Sequence, residues 1–499
     1  MLFNSLSFAL FFIILTGLHF SLPHRFRWIL MLAASYYFYM CWNVGYILLI
    51  ITSTLITWYA GLKIEGALSN KRKKHFLIAS MVANLGALLF FKYFNFFTTS
   101  LFQISAKFNL FTGYEAPLLH IMLPVGISFY TFQTVSYTID IYQGKIEPEK
   151  HLGIFALYVA FWPRIVAGPI ERAGKLIPQF RKTVSFDYSN TTDALRLVLW
   201  GMIKKVVIAD QLAVYVNQVF DHCGDYTGFP LIIASIFFTI QIYCDFSGYS
   251  DMAIGTAKVM GYELTENFKH PYFAASLREF WQRWHISLST WFRDYVYIPL
   301  GGKRVVKWRF YYNLFITFLV SGLWHGANWT FVIWGGLHGI YLIIENIVEE
   351  FLIKISEKMK KQESNRANIT TLENSDSKIY KYTRIAITLF LVNYAWIFFR
   401  ANTVSDAFSI TGKMFIFDFK NSASFIDNIF VVEPSSFILS LALILFLIVV
   451  ELKEQTIKIE NYVGSLPFAA RWSIYTLGLW AIIISTVFGV KQEFIYFQF

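Results

Sequence analysis

Charge is scarce in this sequence. Of 499 residues, 15% are Asp, Glu, Lys or Arg, against about 25% in an ordinary soluble domain. A soluble chain of this length has more surface than so few charges can cover. Cysteine is scarcer still: Cys41, Cys223 and Cys244 stand far apart, with no CxxC and no HExxH. That removes a disulfide framework and the usual zinc spacings, and no metal ligand set is expected. Disorder, collagen and coiled coil are excluded by the composition. What fills the chain is apolar, with 56% hydrophobic and 19% aromatic residues and a mean hydropathy of +0.48. The expected fold class is therefore an all-α integral membrane protein crossing the bilayer many times.

The net charge of +11 would suggest nucleic acid in a soluble protein. Here it fits basic loops held against anionic lipid, and no basic-aromatic module of a nucleic-acid reader is present. A bilayer span needs about 20 apolar residues. Leu2–Phe20 is the first such segment and reads as a retained helix, since it lacks a basic start and a small-residue cleavage site. Residues 28–62 carry no charge and are long enough for two spans with a break near Asn43–Gly45. Further spans are expected over 76–97 (interrupted by Lys92), 118–139, 229–244, within 310–344, and over 385–399, 435–450 and 472–490. Residues 153–170 contain Pro163, Gly168 and Pro169 and predict a broken or re-entrant segment. The total is about ten to twelve transmembrane helices. Residues 345–384 hold dense charge and read as a cytosolic amphipathic helix and linker. This divides the chain into a membrane core (1–344), the linker and C-terminal membrane helices (385–499).

Two histidines stand out. Wrapped at about 100° per residue, residues 276–299 place Leu277, Phe280, Trp281, Trp284, Leu288, Trp291, Phe292 and Tyr295 on one face. Arg278, Gln282, His285 and Ser289 form a polar stripe beside it. A packing histidine is the plainer alternative for His285. In Ser321-Gly322-Leu323-Trp324-His325-Gly326-Ala327-Asn328, His325 lies mid-run among uncharged residues, where an ionisable group usually marks a site. Gly322 and Gly326 are expected to leave room beside the imidazole, and Asn328 to share its face. Histidine is suited to taking a proton from a hydroxyl near neutral pH. His338 reads as structural. Asp245 and Asp251, with Ser247, Tyr249 and Ser250, end a span; a helix cap is the leading reading, with an oxygen cluster or polar vestibule as alternatives. The terminal Phe494-Ile495-Tyr496-Phe497-Gln498-Phe499 reads as an interfacial aromatic end, or as a mobile one able to reach a cavity.

These motifs resemble the membrane-bound O-acyltransferase superfamily, in particular its bacterial branch of alginate O-acetylases. The resemblance is carried by Phe161-Trp162-Pro163, Ala167-Gly168-Pro169-Ile170, Asp245 to Ala253, Asn267-Phe268, Pro271-Tyr272, Glu279-Phe280-Trp281, Arg283 to Ser289, Pro299-Leu300-Gly301-Gly302, Gly322 to Gly326 and the terminal FIYFQF. It implies membrane helices, with re-entrant and interfacial ones, around a polar tunnel in the bacterial inner membrane. It also implies catalysis by His325 with His285 as the second, more variable position. Asp245, Asp251, Arg278, Gln282, Trp284, Ser289, Trp324 and Asn328 become expected lining residues, and Arg293, Lys303 and Arg304 weak candidates for donor phosphates. Acetyl-CoA is the expected donor substrate, with no bound cofactor. The expected acceptor is an extracytoplasmic polysaccharide, reached directly or through an SGNH-type partner, with Tyr496 as a possible acyl carrier. D-alanyl transfer to teichoic acid, a precursor transporter and a non-catalytic scaffold remain as alternatives. The absence of a visible internal repeat speaks against an inverted-repeat transporter.

Overall fold

The computed structural model describes residues 1–108, 116–119, 122–363, 378–417, 430–489 and 493–495. The described residues are almost wholly helices and turns, without a strand. Among the described residues, seven helices are long and apolar enough to cross a bilayer: Val44–Gly66, Asn70–Lys107, Phe229–Val259, Trp329–Lys358, Lys378–Arg400, Pro434–Glu454 and Phe468–Val487. The chain is a multi-pass membrane protein. Several other apolar segments form shorter helices. Leu6–Ser21 and Ile127–Tyr142 have 16 residues and His24–Met40 has 17. At about 1.5 Å per residue they are about 24–26 Å long, at the short end of what a hydrocarbon core about 30 Å thick takes.

The chain folds as two compact units. The first comprises Met1–Val207, Cys244–Glu266 and Thr456–Phe499. The uncharged run 28–62 breaks where expected: His24–Met40 ends, Asn43 accepts a hydrogen bond from the Gly45 amide at 2.8 Å, and Ile47–Gly66 follows. Ile127–Tyr142 is buried on almost every side and packs against Ile47–Gly66 and Asn70–Leu88. Asn84 joins these three helices. Its amide oxygen accepts from Ser53 (2.5 Å) and Thr134 (3.3 Å), and its nitrogen donates to Thr57 (3.1 Å). Such bonds hold apolar helices together where water offers no competing partner. The segment expected to be broken forms a short helix, Leu152–Ala160, and then irregular turns. Gly126 allows those turns to approach. It sits at φ +74°, and a Cβ there would lie 2.3 Å from the Ile165 carbonyl oxygen.

The second unit comprises Ile208–Tyr243 and Asn267–Gln455. Its centre is a helical hairpin, Lys307–His325 and Trp329–Glu363, joined by Gly326–Asn328. The two helices touch backbone to backbone: a Cβ on Gly322 would lie 2.2 Å from the Phe331 carbonyl oxygen, and one on Gly335 would lie 2.3 Å from that of Phe318. Lys378–Arg400 packs against the second arm. Charge begins at Glu345 without ending the helix, which runs unbroken to Glu363.

Candidate active site

The continuous helix expected over 276–299 is two short helices, Leu277–Arg283 and Ile286–Phe292, followed by a π-helical turn, Arg293–Tyr297. The break falls at Trp284, which is extended, and His285, which is left-handed with φ 42°. A non-glycine residue there costs about 1–3 kcal/mol and persists only when its surroundings impose it. Asn267 imposes it. Its carbonyl oxygen accepts from the Ile286 amide at 2.9 Å and its side-chain oxygen from the Ser287 amide at 3.2 Å. Phe268 stacks on the His285 ring with centroids 6.5 Å apart. His285 is fully buried.

The break takes His285 out of the expected polar stripe. His285 turns inward, whereas Arg278 and Gln282 are exposed on the first short helix. Arg278 donates to Asn346 (2.9 Å) and Glu349 (3.1 Å) of the hairpin. Ser289 donates to the Trp284 carbonyl at 3.0 Å.

His325 is the last residue of Lys307–His325 and is 4% exposed. The hairpin turn and the chain break bring the two histidines together, with ring centroids 6.4 Å apart at 58°. Trp324 lies 5.0 Å from His325 and 6.2 Å from His285. The His325 ring meets Trp334 edge to face at 5.0 Å and Phe399 edge to face at 5.4 Å. Trp284 is fully buried and packs on Trp396 at 5.1 Å. The pair of imidazoles is thus buried among aromatic rings.

Two expectations around His325 are corrected. Gly322 and Gly326 do not leave room for a substrate: the hairpin partner fills the first, and the Phe331 ring lies 2.1 Å from where a Gly326 Cβ would be. Asn328 does not share the His325 face, because the helix has ended. It caps the next helix instead, its side-chain oxygen accepting from the Thr330 amide at 3.1 Å while its nitrogen donates to the Asn402 carbonyl at 3.0 Å.

A cavity of about 640 Å³ opens within this unit. Its polar lining includes Arg278, Gln282, Ser289, Arg293, Lys303 and Asn346, and Trp281, Phe310 and Phe318 supply apolar walls. It reaches Ile286, next to His285, and Ser321, one turn before His325. Arg293 also pairs with Asp294 at 2.8 Å. Arg304 is exposed and does not line this cavity.

Asp245 and Asp251 belong to the first unit. They do not cap a helix, since Phe229–Val259 runs through both. Lysines from the π-helical turn Ile203–Ala209 neutralise them instead: Lys204 lies 2.5 Å from Asp251, and Lys205 pairs with Asp245. The second oxygen of Asp245 accepts from the Ile495 amide at 2.8 Å, and Phe494 stacks on Tyr249 at 4.8 Å. Tyr496 lies outside the described residues.

The sequence reading missed Asn267, Trp334 and Phe399 as parts of the site. Asn267 stood in a quoted motif without a role, and the two aromatic residues are indistinguishable by composition from others in the apolar runs. His338, read as structural, is fully buried between Trp281 and Trp334, each 5.0 Å away.

Residues 149–370 match the family model described as MBOAT, membrane-bound O-acyltransferase family. The chain is similar to a probable alginate O-acetylase AlgI of Pseudomonas putida, 39% identical over 420 residues that cover 84% of this chain and 81% of that protein. A peptidoglycan O-acetyltransferase of Helicobacter pylori is 35% identical over 76% of this chain and 72% of its own length. A teichoic acid D-alanyltransferase of Streptococcus thermophilus is 30% identical over only 44% of this chain and 56% of its own length. With the histidine pair at the hairpin turn and sequence likeness along most of the chain, this protein belongs to the membrane-bound O-acyltransferase family.

Proposed function

We propose that the protein transfers an acetyl group from acetyl-CoA to a hydroxyl of an extracytoplasmic polysaccharide, with His325 as general base. The observation that carries this reading is the buried His285–His325 pair, 6.4 Å between ring centroids. At that spacing the two ring nitrogens lie beyond direct hydrogen-bond reach of one another, which suits two groups that act on a shared substrate rather than on each other. His325 takes the proton of the acceptor hydroxyl as its oxygen attacks the thioester carbonyl. His285 faces the developing oxyanion or orients the acceptor. The C–S bond then breaks, and the proton held by His325 passes to the leaving thiolate. Atoms and charge balance without a metal or redox group.

Burial pushes the His285 imidazole down to about 3, so it is neutral at physiological pH and acts as a hydrogen-bonding group rather than a cation. The cavity lined by Arg278, Arg293 and Lys303 suits the donor. Its volume lies in the usual range for ligand sites, about 300–1,000 Å³, and its cations match phosphate groups. The likeness to alginate and peptidoglycan O-acetylating proteins over most of the chain favours a polysaccharide acceptor and acetyl over D-alanyl transfer. The hydroxyl that first accepts the acetyl group is the Tyr496 phenol, and the ester is handed on to the polysaccharide through an extracytoplasmic SGNH-type partner that selects the polymer.

Purified protein supplied with acetyl-CoA and an acceptor should release free CoA thiol. His325→Ala should reduce that release by about 10²–10⁴-fold, and an unchanged rate would overturn the assignment. Acetylated Tyr496 should be found in the C-terminal peptide during turnover. No adduct, together with full activity of Tyr496→Phe, would remove the carrier step.

A further inference from the structure

A second group of chemically capable side chains lies elsewhere in the second unit. His270, Glu451 and Glu454 each offer one ligand atom, and the three atoms lie within 4.8 Å of one another. His270 Nδ1 is 2.5 Å from Glu451 Oε2. Glu451 is 4% exposed, an unusual place for a carboxylate. Its other oxygen accepts from the Tyr243 hydroxyl at 2.7 Å, which fixes the carboxylate plane. Glu451 and Glu454 are three residues apart and share a face of Pro434–Glu454, of which Glu454 is the last residue. His270 holds a left-handed backbone, φ 47°, immediately before Pro271.

We infer that His270, Glu451 and Glu454 bind one divalent first-row metal ion of the zinc type. One imidazole nitrogen and two carboxylate oxygens form a mixed N/O set that suits zinc and leaves a fourth position for water. Ligands about 2.0–2.2 Å from a tetrahedral ion stand about 3.4 Å apart. The His270–Glu451 contact at 2.5 Å is a hydrogen bond that opens by about 1 Å when the ion replaces its proton, and a rotamer adjustment of Glu454, half-buried at its helix end, closes the wider spread. The Tyr243 hydroxyl acts as the outer partner that orients a ligating carboxylate. The sequence shows no zinc spacing because the histidine and the first carboxylate are separated by 181 positions.

The ion has a structural consequence for the histidine pair. His270 ends the stretch that begins with Asn267 and Phe268, the residues that hold His285 in its left-handed conformation. Within that stretch the Lys269 amide donates to the Arg283 carbonyl at 2.9 Å. Tying His270 to the end of Pro434–Glu454 braces this segment from its far side. The site is a positioning device and touches no reacting atom.

The test uses the full-length protein in detergent, washed with chelator and titrated with Zn²⁺ by calorimetry. Wild type should bind one equivalent. Glu454→Gln, which keeps the His270–Glu451 contact, should weaken binding at least tenfold, as should His270→Asn, whose side chain tolerates a left-handed backbone. Co²⁺ should give the visible absorption of a four-coordinate site in wild type and lose it in both variants. Identical Zn²⁺ isotherms in wild type and both variants, or no binding by wild type, would overturn the proposal and leave a plain His–Glu pair. The readout involves no turnover, so it stands or falls apart from the acyl-transfer reading.

Discussion

His285 combines a chemical group with a backbone conformation that few residues accept, and the two contributions can be separated. Asn tolerates the left-handed region, whereas Ala pays about 1–2 kcal/mol there. His285→Asn should keep the fold and lower kcat by at least about tenfold. His285→Ala should lower kcat and the thermal midpoint together. Full activity in His285→Asn would leave the imidazole no role beyond packing. The pH dependence has a definite sign. Burial pushes the folded imidazole down to about 3, against about 6.5 for an unfolded one, so the unfolded chain binds more protons between those values. The stability contributed by neutral His285 is complete above about pH 6.5 and is lost as pH falls toward 3. Thermal midpoints of wild type should therefore fall on acidification below about pH 6.5, and less steeply in His285→Asn. Asn267 supports the same conformation through two hydrogen bonds. Asn267→Ala removes only the side-chain one, and should lower kcat more than it changes KM for the donor. An effect on KM alone would show that His285 does not depend on it.

At the scale of elements, the hairpin is held by two glycines whose Cβ positions are occupied by neighbouring backbone. Gly335→Ala would place a methyl 2.3 Å from the Phe318 carbonyl oxygen, spreading the arms and costing about 1–3 kcal/mol. Gly336→Ala is its control, since nothing lies closer than 3.8 Å. The first should lower the thermal midpoint and the activity and the second neither; equal behaviour would mean the close approach is not required. The elements also show where a sequence is legible. Asn43–Gly45 interrupts an apolar run with turn-forming residues, and the break is where those residues put it. Residues 276–299 contain no Pro or Gly before Pro299, so helical wrapping reads them as one helix. Their break is imposed by Asn267, outside the wrapped window. Asp245 looked like a cap because carboxylates seldom sit inside an apolar helix. The lysines that let it do so lie some forty positions earlier and meet it only in the fold.

For the whole molecule, composition alone identified a multi-pass helical membrane protein, since low charge and long apolar runs are properties that no arrangement of the chain can hide. His325 was also conspicuous in the sequence as an ionisable group amid uncharged residues, and it is buried beside His285. What surrounds it was not. Trp334 and Phe399 become its neighbours only when three helices pack, and the glycines beside it serve that packing rather than a ligand. The central claim is that His325 deprotonates a hydroxyl so that an acetyl group leaves a thioester for an oxygen on the other side of the membrane. Sealed inverted vesicles containing the protein, its polymer acceptor and the delivery partner, supplied outside with acetyl-labelled CoA, measure this directly. Label should accumulate in the enclosed polymer with wild type and fall to background with His325→Ala at equal protein level. Equal labelling of the polymer by the variant would contradict the account.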